Sequence, residues 1–194
     1  MRRLRLAALA TAAVVPLSLL MAPSAAVAAR RGFHTGSGAA CGSLTATQAG
    51  DLAFVRDEER LALDLYTVFA DEYPNSAIFS NIADAEQRHF DAVGGKIAKY
   101  CVLDPSAGMD PGEFVDHPGH PDLQALYNIL EPQGLASLEG ALEAGVTVEE
   151  TDIHDISGIV AKENPADIEQ VYNHLLDGSY SHLAAFNDQL DDLE

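Results

Sequence analysis

Asp84-Ala85-Glu86-Gln87-Arg88-His89 is the stretch that decides the fold. Its Glu-x-x-His spacing sits in a run with helical periodicity. At about 100° per residue, positions i and i+3 share one face of a helix, so Glu86 and His89 can reach the same point. A carboxylate and an imidazole together suit Fe, Mn or Zn. In four-helix bundles that hold a pair of metal ions, this pair recurs alongside single glutamates from neighbouring helices. The motif alone also fits a solvated Glu beside an ordinary His, so its neighbours carry the argument.

Around it lies an apolar stripe of Ile78, Ile82, Ala85, His89, Val93 and Ile97, which predicts a helix capped by Asn75 or Ser76 and ending by Tyr100. Upstream, Thr45-Ala-Thr-Gln48 fits a capping box. Leu52, Val55, Glu59, Ala62, Tyr66 and Phe69 then predict a helix that ends near Glu72, before Pro74. Two long helices with a short turn pack as antiparallel neighbours. Glu59 stands in the apolar stripe where a hydrophobe belongs, while Glu58 and Arg60 are expected to face water. Folding the pair about Pro74 brings Glu59 level with Glu86 and His89. A buried carboxylate needs a metal ion or a paired base, here Arg56 or Arg88.

The same hairpin brings Cys41 and Cys101 to one end, and two cysteines in a secreted chain point to a disulfide between them. Secretion is the reading of the N-terminus. Three arginines in Met1 to Arg5, an apolar run from Leu6 to Ala22 and the small residues of Ala26-Val-Ala28 form a signal peptide over 1–28, cleaved after Ala28. A transmembrane anchor is the rival, but the run is short and broken by Pro16. Residues 29–44 read as a flexible leader and 45–194 as one domain. Losing three arginines takes the formal charge from −19 to about −22. That excludes nucleic acid and, after signal cleavage, an anionic membrane as partners, and it favours metal cations. A homodimer is a candidate assembly.

Val102 to Pro121 is rich in Asp, Pro and Gly and reads as a long crossover. His117 and His120 are loop residues in it or ligands of a surface metal. Asp122 to Leu130 predicts a short helix packing Leu123, Leu126 and Ile129 onto the bundle. A second hairpin follows. Leu135, Leu138, Leu142, Val146, Glu149, Ile153, Ile156 and Val160 make one stripe, with Glu149 the polar intruder. Asn164-Pro165 opens the last helix, with the stripe Ile168, Val171, Leu175, Ser179, His182, Phe186 and Gln189. His182 is its intruder, near the level of Glu149. Gly140 and Gly145 weaken the third long helix or admit a close neighbour, and Thr147-x-x-Glu150 is a possible restart. The continuous phase of the stripe favours one helix.

Glu59-Arg-Leu-Ala-Leu-Asp-Leu-Tyr66, the Glu86-x-x-His89 helix, Val148-Glu-Glu-Thr-Asp-Ile153 and Asp177-Gly-Ser-Tyr-Ser-His182 together resemble an uncharacterised bacterial family of ferritin-like domains, the domain of unknown function 2202. More distantly they are similar to the first half of rubrerythrin-like di-iron proteins. The resemblance implies an all-α fold: a ferritin-like four-helix bundle with one long crossover between two helical hairpins. It also implies a central site for a transition metal, Fe first, with Mn, Zn or Cu as competitors.

The candidate ligands are Glu59, Glu86, His89, Glu149, Glu150 and His182. A second Glu-x-x-His would need a carboxylate at position 179, and Ser179 stands there. Glu150 or Asp152 would compensate, and His154 and His174 could meet across the second hairpin. One ion or two fit this set. The resulting expectation is a secreted metal-binding protein with oxidase, peroxidase-like or storage chemistry. In that setting Tyr66 would relay an electron or fill space. The alternative is a secreted helical interaction module whose metal site is vestigial. No Gly-rich phosphate loop, Ser/His/Asp arrangement or Cys-x-x-Cys module is present, which disfavours a hydrolase and a complete rubrerythrin-like protein.

Overall fold

The computed structural model describes residues 40–108, 114 and 120–193. The expected signal peptide over 1–28, the leader up to residue 39, and His117 lie outside the described residues. Among the described residues there are five helices and no strand: α1 (Ala46–Glu72), α2 (Ala77–Tyr100), α3 (Pro121–Ala136), α4 (Leu138–Val160) and α5 (Ala166–Asp191). None is long and apolar enough to cross a membrane.

α1 starts where the capping box places it. Thr45 Oγ1 accepts from Gln48 N at 3.2 Å, and Gln48 Oε1 accepts from Thr45 N at 2.9 Å. It ends at Glu72, two residues before Pro74, which cannot continue the helix. After the turn, α2 runs back against α1 to Cys101, whose positive φ of 53° caps the helix in the left-handed region. There Cys101 is bonded to Cys41, with 5.6 Å between their Cα atoms. Closing a loop of 60 residues stabilises the fold by about 4 kcal/mol in the chain-entropy model.

α1 is the central helix. Every residue from Val55 to Tyr66 is buried, including Glu58 and Arg60, which were expected to face water. Two hairpins alone would leave that side of α1 open. In this protein α3, together with Asp104, Ser106 and His120, covers it. Asp104 binds Arg56, while Ser106 Oγ donates to Asp57 Oδ1 at 2.9 Å and His120 pairs with the other Asp57 oxygen. Arg60 forms an ion pair with Asp64 one turn on. His120 is thus an internal partner of Asp57 at the start of α3.

α3 is longer than the short helix expected over 122–130, reaching Ala136 and containing Pro132. Its inward residues are Leu123, Tyr127 and Leu130, whereas Ile129, expected to be inward, is 64% exposed. Gly134 leaves room for the Phe69 ring, since a Cβ there would lie 2.0 Å from Phe69 Cζ. Leu135, read as the first residue of the second hairpin, belongs to α3. α4 starts later, at Leu138, because Ser137 Oγ caps it by accepting from Gly140 N at 3.0 Å.

α4 is continuous through Gly145, and Thr147 donates to Glu143 O within the helix instead of restarting it. Gly145 gives α5 its close approach, a Cβ there falling 2.6 Å from the Phe186 ring. Asn164 closes α4 instead of opening α5, its amide donating to the Ile159 and Lys162 carbonyls.

The core lies in two apolar clusters. One gathers Leu61, Leu65, Phe69, Phe79, Ile82, Leu142 and Phe186. The other gathers Leu52, Val55, Val93, Ile97, Ile156, Ile168 and Tyr172. Along each of α1, α2, α4 and α5, the polar residues Glu59, Glu86, His89, Glu149, Asp152, Ser179 and His182 fall between the positions that feed these clusters. The charged layer is therefore interposed in a dry core.

Candidate metal centre

Four helices contribute to this layer, and the side chains face one another. On α2, the three-residue spacing sets His89 Nδ1 2.8 Å from Glu86 Oε2. The same nitrogen lies 3.4 Å from Glu59 Oε2 on α1. The other oxygen, Glu86 Oε1, lies 2.7 Å from His182 Nδ1 on α5, which in turn is 3.6 Å from Glu149 Oε2 on α4. Glu86 thus sits between two imidazoles, each flanked by a further glutamate. The two rings are stacked, 5.7 Å apart.

Glu59, Glu86 and Glu149 are each no more than 3% exposed. Neither base weighed as a partner for Glu59 serves it. Arg56 is engaged by Asp104 and the Phe90 carbonyl, and Arg88 is exposed on α2. Glu59 Oε1 is left without a hydrogen-bond partner. So is His182 Nδ1, whose 2.7 Å approach to Glu86 lacks hydrogen-bond alignment. A buried carboxylate oxygen and a buried imidazole nitrogen left without hydrogen-bond partners, each beside Glu86, suit ligands of an ion.

Two triads in the layer have ligand atoms within 4.8 Å of one another: Glu59, Glu86 and His89, and Glu86, Glu149 and His182. They share Glu86. Asp152 lies one turn after Glu149 on α4 and accepts a hydrogen bond from Ser179 Oγ on α5. Tyr66 OH donates to Glu149 Oε1 at 2.6 Å, so its role is to hold a carboxylate in addition to filling space.

The electrostatics follow from burial and from this pairing. Against the upward push of burial, His182 and His89 hold the Glu86 carboxyl down at about 2. Burial, with Asp152 and Glu86 adding to it, pushes Glu59 well up. Burial likewise takes Glu149 to about 8, although His182 opposes it, and Asp152 to about 7 despite the Ser179 hydrogen bond. His182 is carried the other way from what burial dictates, up to about 9, by Glu149 and Glu86. Without an ion, the layer therefore keeps protons on groups that an ion would displace.

Glu150 does not join the others. It is exposed, because one residue beyond Glu149 the helix has turned by about 100° toward solvent. Asp152, at the i+3 position, is the carboxylate on the inward face. His154 is exposed, and His174 is exposed but sets its ring edge-on to His89 with centroids 5.8 Å apart. Gly178 makes room for that side of His89, since a Cβ there would meet its Cε1 at 2.4 Å.

A small cavity of about 10 Å³ touches the layer on the α3 side, lined by Glu58, Glu59, Glu86, Glu149, Asp152 and Thr151 with Leu61, Ala62, Leu123, Leu126 and Val148. Its room is on the scale of one water molecule or ion.

A search of curated proteins finds the uncharacterized protein MJ0754 of Methanocaldococcus jannaschii, 37% identical over 132 residues, which span 68% of this chain and 69% of that protein. The crystal structure of the same hypothetical protein superposes with a TM-score of 0.72 at 33% identity, covering 81% of this chain and 87% of that one. This relative is archaeal, so the expectation of a bacterial group is replaced by a broader one. Residues 48–193 match the family model described as Uncharacterized protein domain (DUF2202), and the chain belongs to that family.

Proposed function

We propose that this chain is a secreted, ferritin-like metal-binding protein in which α1, α2, α4 and α5 form a four-helix bundle around a pair of transition-metal ions. Glu59 and His89 would hold one ion, Glu149 and His182 the other, and Glu86 would bridge them. The observation that carries this reading is the position of Glu86 between two imidazole nitrogens, at 2.8 and 2.7 Å, in a layer sealed between apolar clusters. Two triads sharing one carboxylate favour two ions over one. Mixed carboxylate and imidazole donors suit iron first, with Mn, Zn and Cu competing according to supply. The Cys41–Cys101 disulfide supports an oxidising compartment.

A redox metal bound here would supply oxidase- or peroxidase-like turnover, or storage. The chain's own part is to orient and to exclude. Tyr66 fixes Glu149, Ser179 fixes Asp152, and Leu61, Leu123, Leu126 and Val148 limit the space beside the ligands to something the size of water. A bulky organic substrate has no room against them.

The second reading, an interaction module with a vestigial site, draws on Ser179 standing where the fourth long helix should offer a carboxylate. Asp152 meets that objection by bringing a carboxylate to Ser179 from α4. Elemental analysis of protein isolated without added metal separates the two. About two ions per chain are expected, with most of the content lost in Glu59→Ala. Protein that carries no metal, and takes none up from anaerobic Fe²⁺ or Mn²⁺, would leave the interaction module.

A further inference from the structure

His174 is exposed on α5, yet it keeps its ring against a buried side chain of another helix. That side chain is His89 on α2, 6% exposed. The two centroids lie 5.8 Å apart with the ring planes at 78°. Four residues on, Gly178 leaves a space that the His89 ring fills, since a Cβ there would lie 2.4 Å from His89 Cε1 and 2.7 Å from its Nε2. Four residues further, His182 stacks on the same ring, with centroids 5.7 Å apart and planes at 30°. Positions i, i+4 and i+8 follow one stripe along a helix. Three successive turns of α5 thus form a socket for His89, with a ring in the first and last turns and bare backbone between them.

The socket matters most once an ion is bound. In the metal-free chain, His89 Nδ1 is held by a hydrogen bond with Glu86 Oε2 at 2.8 Å. A nitrogen that ligates a metal carries no proton, so binding replaces that bond and leaves the ring to be directed by the ion and by what packs around it. The torsion that turns an imidazole is broad and roughly two-fold, so packing decides which atom faces inward. Glu149 and Asp152 have donors of their own for this purpose, in Tyr66 and Ser179. Around His89, the wall of the socket that is neither a candidate ligand nor backbone is His174.

We infer that His174 is a positioning residue of the metal centre, closing the α5 socket that keeps His89 Nδ1 turned toward an ion held with Glu59 and Glu86. The inference rests on the metal-binding reading of the centre. His174 is not one of the residues whose ligand atoms converge there, so it acts on the ion through the direction of the His89 ring. What it supplies is the edge-on ring contact, and any flat ring of similar size should supply it too.

The test is an anaerobic Mn²⁺ titration of the chelator-stripped chain by calorimetry, in the wild type and in His174→Ala, His174→Gln and His174→Phe. All four are expected to bind two ions. His174→Ala should weaken one of them by about tenfold and leave the other within about threefold, in line with the loss of a partner that orients a ligand. His174→Gln, polar but without a ring, should behave as His174→Ala does, and His174→Phe should return to within about threefold of the wild type. In a His89→Ala background, His174→Ala should have no further effect, because the ring it steers is gone. The metal-free variants should melt close to the wild type, as exposed substitutions do, which shows that they fold.

Wild-type affinities in His174→Ala overturn the positioning role. So does equal weakening of both ions together with a lower metal-free melting temperature, which marks general packing. Rescue by His174→Gln but not by His174→Phe would make the residue a ligand and overturns the role as well. In each of these cases the centre stands. A wild type that binds no Mn²⁺ removes the centre itself, and the positioning role with it.

Discussion

Ser179 Oγ on α5 donates a hydrogen bond to Asp152 Oδ2 on α4, both side chains being buried. The serine occupies the helical position from which a second Glu-x-x-His would project its glutamate. The facing helix presents Asp152 at this point, and Ser179 supplies a donor that orients its carboxylate. Metal-ligating groups depend on such partners for their direction, and losing one typically weakens binding by about 10–100-fold. Ser179→Ala should therefore weaken uptake of one ion by that factor with the stoichiometry intact. Asp152→Ala removes the carboxylate itself and should weaken uptake further than Ser179→Ala does. Elemental analysis with a chelator-competition titration measures both, and equal effects of the two substitutions would contradict the division of labour.

Tyr66 OH reaches Glu149 Oε1 at 2.6 Å from α1. Burial and the adjacent carboxylate push the phenol well above its ordinary value, so it stays protonated and donates. Tyr66→Phe removes the donor while keeping the ring against Phe186. A hydrogen bond to a charged group is worth about 1.5–3 kcal/mol. About a tenfold loss of affinity at the Glu149 and His182 side is expected, with the Glu59 and His89 side unchanged. Spectra of the metal-loaded variant under dioxygen would show whether the phenol also reports on turnover.

Much of this was legible from periodicity. Glu59, Glu86, His89, Glu149 and His182 interrupt apolar stripes, and an interruption in phase with burial is visible without coordinates. The disulfide followed from two cysteines at the ends of one hairpin. What periodicity could not reveal is the burial of Glu58, Arg60 and Asp57. It arises because α3, with Asp104, Ser106 and His120, lies over α1, a long-range packing choice that leaves no local pattern. Glu150 and Asp152 each offer, in sequence, a stand-in for the carboxylate that position 179 lacks, and only the phase of α4 decides between them. That phase favours Asp152. Ile129 faces solvent because Leu123, Tyr127 and Leu130 set the inward face of α3, and Leu135 falls in α3 because that helix runs on through Pro132, where a proline ordinarily marks an end.

The charge layer makes stability depend on pH in a stated direction. Glu149, Asp152 and His182 are held at about 8, about 7 and about 9, each above its ordinary value. A group raised in the folded state contributes stability below its ordinary value and loses it as pH climbs through the folded one. Glu86, held at about 2, contributes above its ordinary value and loses that as pH falls. The metal-free protein should thus be most stable at about pH 5 and should melt progressively lower toward pH 9. Metal affinity should run oppositely, rising over that range as bound ions displace protons. Thermal melts with and without chelator, and calorimetry in buffers of different ionisation enthalpy, measure the two slopes. A metal-free melting curve that rises toward pH 9 would contradict the pairing.

Gly178 and Gly95 separate space from propensity. Both sit inside helices, where replacing glycine by alanine gains about 1 kcal/mol if the methyl group has room. At Gly95 on α2 no neighbouring atom lies within 4 Å of the added Cβ, so Gly95→Ala should stabilise the fold and leave metal content alone. At Gly178 on α5 the Cβ would lie 2.4 Å from His89 Cε1 and 2.7 Å from its Nε2. The ring must move. Because its other nitrogen, Nδ1, faces Glu86 and Glu59, the movement would take His89 away from an ion held with those residues. Gly178→Ala is expected to weaken that ion by at least about tenfold, in keeping with the cost of misplaced ligands, while His182 and Glu149 retain theirs. A Gly178→Ala protein that binds both ions as the wild type does would show that His89 has another position open to it, and would remove it from the ligand set.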